Sequence, residues 1–121
     1  IRAVPATTET DGMIGSVELA AMKPSATIIN IARGTVIDQD ALVAALSEKR
    51  IGAAFLDVTS PEPLPAEHPL WNLENAYVTM HLSGRAQDKM LMRSVERFLT
   101  NLESWRNGGP IEPKVDLLLG F

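Results

Sequence analysis

Short apolar runs alternate with amphipathic stretches along the chain, and the alternation predicts strands and helices in turn. Residues 26–31 are apolar with three isoleucines, the signature of a strand buried in a parallel sheet. Residues 51–58 form a second such run, apolar until Asp57, and residues 76–80 a third. Between these runs the period changes. Met13, Ile14, Val17, Leu19, Ala20 and Ala21 recur at helical spacing over 13–22, and Lys23-Pro24 ends that helix because proline has no N–H to donate. Asp38 reads as an N-cap for a helix that presents Ala41, Leu42, Ala45 and Leu46 on one face and ends near Lys49-Arg50. Residues 86–106 read as a long helix, with Met90, Leu91, Val95, Phe98, Leu99, Leu102 and Trp105 largely on one face and Gly108-Gly109-Pro110 as its stop.

The remaining segments are loops and ends. Residues 5–11 are a polar, Thr-rich loop entered through Pro5. Residues 59–70 hold Pro61, Pro63, Pro65 and Pro69 and read as a stiff, ordered loop without regular structure. Residues 1–4 read as the end of a strand entered from upstream, so an N-terminal portion is expected to have been removed or never to have been present. The order is strand, helix, strand, helix, strand, loop, strand, helix. Such alternation implies an α/β fold with a parallel sheet and right-handed crossovers. Four strands are few for a sheet of that kind.

Bulk properties narrow the function classes. A length of 121 residues allows one domain or part of one, and 45% apolar residues can build a core. The net charge of −4 leaves no basic stripe to neutralise phosphates, so nucleic acid is not the expected partner. No apolar run approaches the length of a membrane span, and no signal-peptide pattern opens the chain. The absence of cysteine removes disulfides, thiolate zinc sites and thiol nucleophiles. A cytoplasmic location is the expectation. His68 and His81 are the two histidines and form no His-x-x-x-His pair, so no metal site is expected.

Four residues at or just beyond predicted strand ends carry the candidate chemistry, because ligands of open α/β sheets bind outside the strand ends. Arg33, in Asn-Ile-Ala-Arg-Gly, has a guanidinium that can grip a carboxylate through two parallel hydrogen bonds, or simply lie on the surface of a turn. The neighbouring Gly34 permits a tight turn or a close approach to a ligand. Asp57 closes an apolar run and needs a partner, either a cofactor carboxamide or a backbone N–H of the loop that follows it. Glu62, between Pro61 and Pro63, has a restricted backbone that suits it to orienting an imidazole, although a solvated loop glutamate would look the same. His81 can transfer a proton, and a neighbouring carboxylate would stabilise its cationic form. His68 and Trp71 have only structural readings, with Trp71 packing the loop down.

These motifs, in this order, resemble the C-terminal part of the NAD-binding domain of D-isomer-specific 2-hydroxyacid dehydrogenases, such as phosphoglycerate dehydrogenase or glyoxylate/hydroxypyruvate reductase. The resemblance rests on Pro5 to Thr10, Asn30 to Gly34, Val36 to Asp38, Ala41 to Leu46, Leu56 to Val58, Glu62 to Leu64, Pro69 to Trp71 and Thr79 to Gly84. It runs from about Ala3 to Gly84 and continues loosely through the last helix. It implies the second half of a Rossmann-like, doubly wound parallel sheet over residues 1–84. Residues 85–121 would be a helix and tail that normally return to a substrate domain.

By the same resemblance, Arg33 would bind the substrate carboxylate, His81 would exchange a proton with the substrate oxygen, and Glu62 would hold His81. NAD or NADP would be contacted by Val4, Pro5, Ile31, Ala32, Arg33, Asp57, His81, Ser83 and Gly84. The substrate would be a small 2-hydroxyacid or 2-oxoacid, and the full-length protein would be a homodimer. One local departure is Met80, where the family usually has proline. A larger one is the lack of the family's Gly-x-Gly-x-x-Gly phosphate loop. The chain alone is therefore expected to bind cofactor poorly and to show no turnover, and Leu117, Leu118, Leu119 and Phe121 are expected to be exposed or to pack on another chain. The alternative function is a cofactor-sensing, corepressor-like binding module of the same fold without catalysis.

Overall fold

The structure, a computed structural model, describes residues 3–84 and 89–118. Three parallel strands form one sheet in the order β1 (Thr27–Asn30), β2 (Ala53–Leu56), β3 (Ala76–Val78). The register aligns Ile28 with Ala54 and Ala76, and Asn30 with Leu56 and Val78. All three strands thus end at one edge, and the segments that follow them emerge side by side. A strand end at residues 1–4 is not seen: Ala3 and Val4 are irregular, and Ile1 and Arg2 lie outside the described residues.

Helices α1 (Ser16–Ala20) and α2 (Gln39–Ser47) pack together against one face of this sheet. α2 begins where the sequence predicts, because the Asp38 side chain accepts from the Ala41 N–H at 3.0 Å. α1 is shorter than the 13–22 expectation. Gly12 turns with φ +61°, and Gly15 is the N-cap, its N–H donating to the Glu18 carboxylate at 2.9 Å. Ile14 instead forms a parallel bridge with Ile37, and that bridge buries it without a helix. The core consists of Ile14, Leu19, Ile28, Ile37, Leu42, Ala45, Leu46, Ile51, Ala54, Leu56 and Leu70.

The continuous apolar strands predict a sheet covered on both faces, yet among the described residues of the unit that holds the sheet only one face is covered. Ile28, Asn30, Ala54 and Leu56 are buried, whereas Phe55 and Tyr77 point the other way and are about half exposed. Their rings stack with centroids 4.5 Å apart. The loop at 59–70 is irregular up to a 3-10 turn at Pro69–Asn72, and the Trp71 indole holds it down by donating to the Pro65 carbonyl at 2.8 Å.

The described residues fall into two compact units that divide between Ser83 and Gly84. The second contains α3 (Met90–Arg106), none of whose residues is buried. Residues 86–88 of the predicted helix lie outside the described residues. Leu117 and Leu118 are exposed, as expected, while Leu119 and Phe121 fall outside the description. Among the described residues no helix is long and apolar enough to cross a membrane.

Leu42, 1% exposed, anchors α2. Leu42→Ala is expected to cost about 2–5 kcal/mol through lost burial and a residual cavity. Asp38→Ala is expected to cost about 1 kcal/mol through loss of the cap alone. Urea unfolding monitored by circular dichroism checks both, with the midpoint moving and the slope unchanged.

Candidate active site

Asn30 starts the site. It is 1% exposed at the end of β1, and its amide satisfies the turn beyond it. Oδ1 accepts from the Ala32 N–H at 3.1 Å and Nδ2 donates to the Arg33 carbonyl at 2.9 Å. That turn delivers the exposed Arg33, whose Nη1 donates to the Ala32 carbonyl at 2.7 Å. One N–H of the guanidinium fork is used in this way, and a guanidinium carries five.

Gly34 makes a close approach, but to protein backbone. A Cβ built on it would lie 2.0 Å from the Thr59 carbonyl oxygen and 2.6 Å from the Ser60 nitrogen. No side chain fits there. The Arg33 turn is therefore pressed directly onto the first residues of the proline loop that carries Glu62.

Asp57 is buried at the end of β2. Its donors come from the segment after β3, not from its own loop. Oδ1 accepts from the Thr79 hydroxyl and from the Leu82 N–H at 3.0 Å, and Oδ2 accepts from the Ser83 N–H at 2.7 Å. Burial by itself raises the carboxyl pKa, but the hydrogen bonds from Thr79, Ser83 and Leu82 outweigh it and hold Asp57 well below the usual carboxylate range. These donors bracket His81, which adopts φ +54° in the left-handed region. A non-glycine residue there needs surrounding contacts to hold it.

Held in that turn, His81 meets Glu62. His81 Nδ1 lies 2.7 Å from Glu62 Oε1, and both side chains are about two-fifths exposed. An ionised carboxylate only accepts, so Nδ1 carries the proton and donates it, and among the described residues Nε2 has no hydrogen-bond partner. The contact forms with Met80, itself 81% exposed, in the position before His81.

The structure thus brings Glu62 and His81 together and joins Arg33 to the same loop through Gly34. Ser83 sits on Asp57. Ile31 and Gly84 are exposed beside these turns, and Ala32 is buried within the Arg33 turn. Val4 and Pro5 belong to the N-terminal loop, where the Pro5 carbonyl accepts from the Thr10 hydroxyl at 2.7 Å. His68 is structural as read: its Nδ1 accepts from the Leu70 N–H at 3.2 Å. Two residues of the site are absent from the sequence reading in these roles, namely Asn30 and Thr79. An amide or hydroxyl at or just past a buried strand end is the one signal that could have marked Asn30 and Thr79.

Gly34→Ala is expected to lower stability by about 3 kcal/mol, since the added methyl meets main chain that cannot rotate away; a shift of the urea midpoint measures it. Asp57 generates a pH prediction. The unfolded carboxyl takes up a proton near its ordinary value of 3.8, while the folded one stays ionised to lower pH. Its contribution is therefore fully present above 3.8 and is lost as pH falls below that value. Between about pH 4 and pH 2 the urea midpoint of the wild-type chain should fall more steeply than that of Asp57→Asn.

Comparison with known proteins agrees with this fold. Residues 1–83 match the family described as "D-isomer specific 2-hydroxyacid dehydrogenase, NAD binding domain". Glyoxylate/hydroxypyruvate reductase B of Pectobacterium carotovorum is 47% identical over 85 residues, 70% of this chain and 27% of that protein. Human glyoxylate reductase/hydroxypyruvate reductase is 40% identical over 99 residues, 79% of this chain and 30% of that protein. The D-isomer specific 2-hydroxyacid dehydrogenase of Xanthobacter autotrophicus Py2, solved with NADPH and MES, superimposes with a TM-score of 0.89 at 37% identity. That superposition covers 98% of this chain and 48% of the other. The chain spans 26–38% of the length of the curated relatives it matches. It belongs to the family of D-isomer specific 2-hydroxyacid dehydrogenase NAD-binding domains.

Proposed function

We propose that this chain carries the proton-handling part of an NAD(P)-dependent dehydrogenase that interconverts small 2-oxoacids and D-2-hydroxyacids. The observation that carries the reading is the 2.7 Å contact between Glu62 and His81 at the strand ends. Glyoxylate and hydroxypyruvate are the first substrates to test, since they appear in the names of the relatives.

The residues present fit the nicotinamide end of the cofactor. An apolar recess of about 440 Å³, walled by Ile31, Phe55, Tyr77 and Leu82, closes on the Asp57 carboxylate and on Ser83. Such a recess suits a flat ring that carries a carboxamide. In this reading Asp57 accepts from the carboxamide, and the chain at Val4, Pro5, Ile31, Ala32, Ser83 and Gly84 lines the cofactor. Bound NAD(P)H supplies the hydride.

The side chains do the rest. Arg33 holds the substrate carboxylate with its remaining N–H groups and draws charge toward the carbonyl oxygen. His81 gives the Nε2 proton to that oxygen as the carbon gains hydride, so the C=O bond becomes C–H and O–H. Glu62 keeps the imidazole oriented through the contact at Nδ1. In the oxidation direction His81 Nε2 takes the proton back.

The test is a steady-state assay of a protein of the relatives' length containing this chain, with glyoxylate and hydroxypyruvate and each reduced cofactor. His81→Gln should lower kcat by about 10²–10⁴ with cofactor affinity little changed. The 121-residue chain alone should show no turnover. If His81→Gln keeps full activity, or neither the oxoacids nor their alcohols react, the reading is wrong. Partner binding that persists in His81→Gln without any wild-type turnover would favour the corepressor-like module.

A further inference from the structure

We infer that Gln39 is a positioning residue for Glu62: its amide clamps the Ser60 peptide and so sets where the Glu62 carboxylate meets His81. The Gln39 side chain makes two hydrogen bonds to the main chain of one residue 21 positions away. Nε2 donates to the Ser60 carbonyl at 2.7 Å, and Oε1 accepts from the Ser60 N–H at 3.0 Å. Two bonds between one planar amide and one residue restrict rotation as well as translation. They act as one rung of a strand ladder would.

Both ends of the clamp are anchored. Gln39 is the first residue of α2, directly after the Asp38 cap, so it projects from an element fixed by the buried Leu42, Ala45 and Leu46. Ser60 has a second restraint in Gly34, whose α-carbon leaves no room for even a methyl group beside Thr59 and Ser60.

From Ser60 to Glu62 the chain has little freedom. Pro61 fixes its own φ, Pro63 restricts Glu62 from the other side, and the Thr59 hydroxyl donates to the Pro61 carbonyl at 2.9 Å. A displacement of Ser60 therefore reaches Glu62 undamped. His81 belongs to a different strand end, held by Asp57, and does not follow it. Loss of the clamp should misplace the carboxylate against the imidazole and leave both residues intact.

The catalytic meaning of this inference rests on the proposed dehydrogenase reading, but its test does not require turnover. The 121-residue chain, labelled with ¹⁵N, is examined by NMR at mildly acidic pH, with the His81 ring signals assigned by their loss in His81→Gln. The wild-type chain should show a downfield His81 Nδ1–H resonance shared with Glu62, which Glu62→Gln moves upfield. In Gln39→Ala that resonance should broaden or vanish. Exchange of the Ser60 amide should accelerate about fivefold to tenfold, the scale of one hydrogen bond. The amide signals of β1, β2 and β3 should stay in place. Gln39→Glu, which retains an acceptor for the Ser60 N–H and loses the donor to its carbonyl, should fall between the two.

A sharp, unshifted His81 signal in Gln39→Ala would overturn the inference and leave the dehydrogenase reading standing. So would absence of the signal in the wild-type chain, or its loss together with collapse of the sheet amides. A normal Gln39 response in a protein that reduces no 2-oxoacid would sink the functional reading alone.

Discussion

The site depends on one steric fact: the backbone at Gly34 lies where a side chain would have to be, against Thr59 and Ser60. Two parallel strands end side by side, and the turns that follow them would diverge without a cross-contact. Gly34 supplies it at the closest range the chain allows. Arg33 and Glu62 are 29 positions apart in sequence and belong to the ends of different strands. Their separation is nevertheless set by backbone meeting backbone. Side-chain packing relaxes when one residue changes, whereas a main-chain contact of this kind has no rotamer through which to yield.

A second restraint complements the first. Buried Asp57 would be unfavourable without partners, and the segment after β3 supplies them through Thr79, Leu82 and Ser83. The carboxylate thereby ties the end of β2 to the turn after β3 and fixes the left-handed His81 between its donors. The first restraint holds Arg33 and Glu62 together, and the second holds the His81 imidazole. The contact between Glu62 and His81 is where the two meet. Each restraint alone would leave one partner of that contact free to drift. Orientation of this kind is what lets a weak acid act in a transition state.

Much of this was legible in the sequence, for a definable reason. Strand ends can be read from apolar runs, and a charged or titratable residue that closes such a run is conspicuous. Arg33, Asp57 and His81 were found in that way, and the Asp38 cap was equally plain. The missing information is of one kind. Gln39, Thr79 and Asn30 act on main chain or on a carboxylate, and for Gln39 and Thr79 the partner is 21 or 22 residues away, so local spacing contains no trace of it. The length of α1 failed for a related reason. Ile14 has the spacing of a helix residue but is buried by pairing with Ile37, a partner visible only in three dimensions.

Two properties come apart in this chain. Among the described residues, the contacts that position Arg33, Glu62 and His81 lie within the unit that ends at Ser83. Cofactor affinity is different. Within its own unit the sheet leaves Phe55 and Tyr77 about half exposed on one face, and α3 exposes an apolar stripe with Phe98 at 64% and Trp105 at 63%. Strands apolar on both faces are built to be covered on both faces. The same chain also lacks the glycine-rich loop that cradles a pyrophosphate. Preorganised chemistry with incomplete binding is therefore the expected state of the isolated chain. Its tightest constraints concern the position of the His81 imidazole.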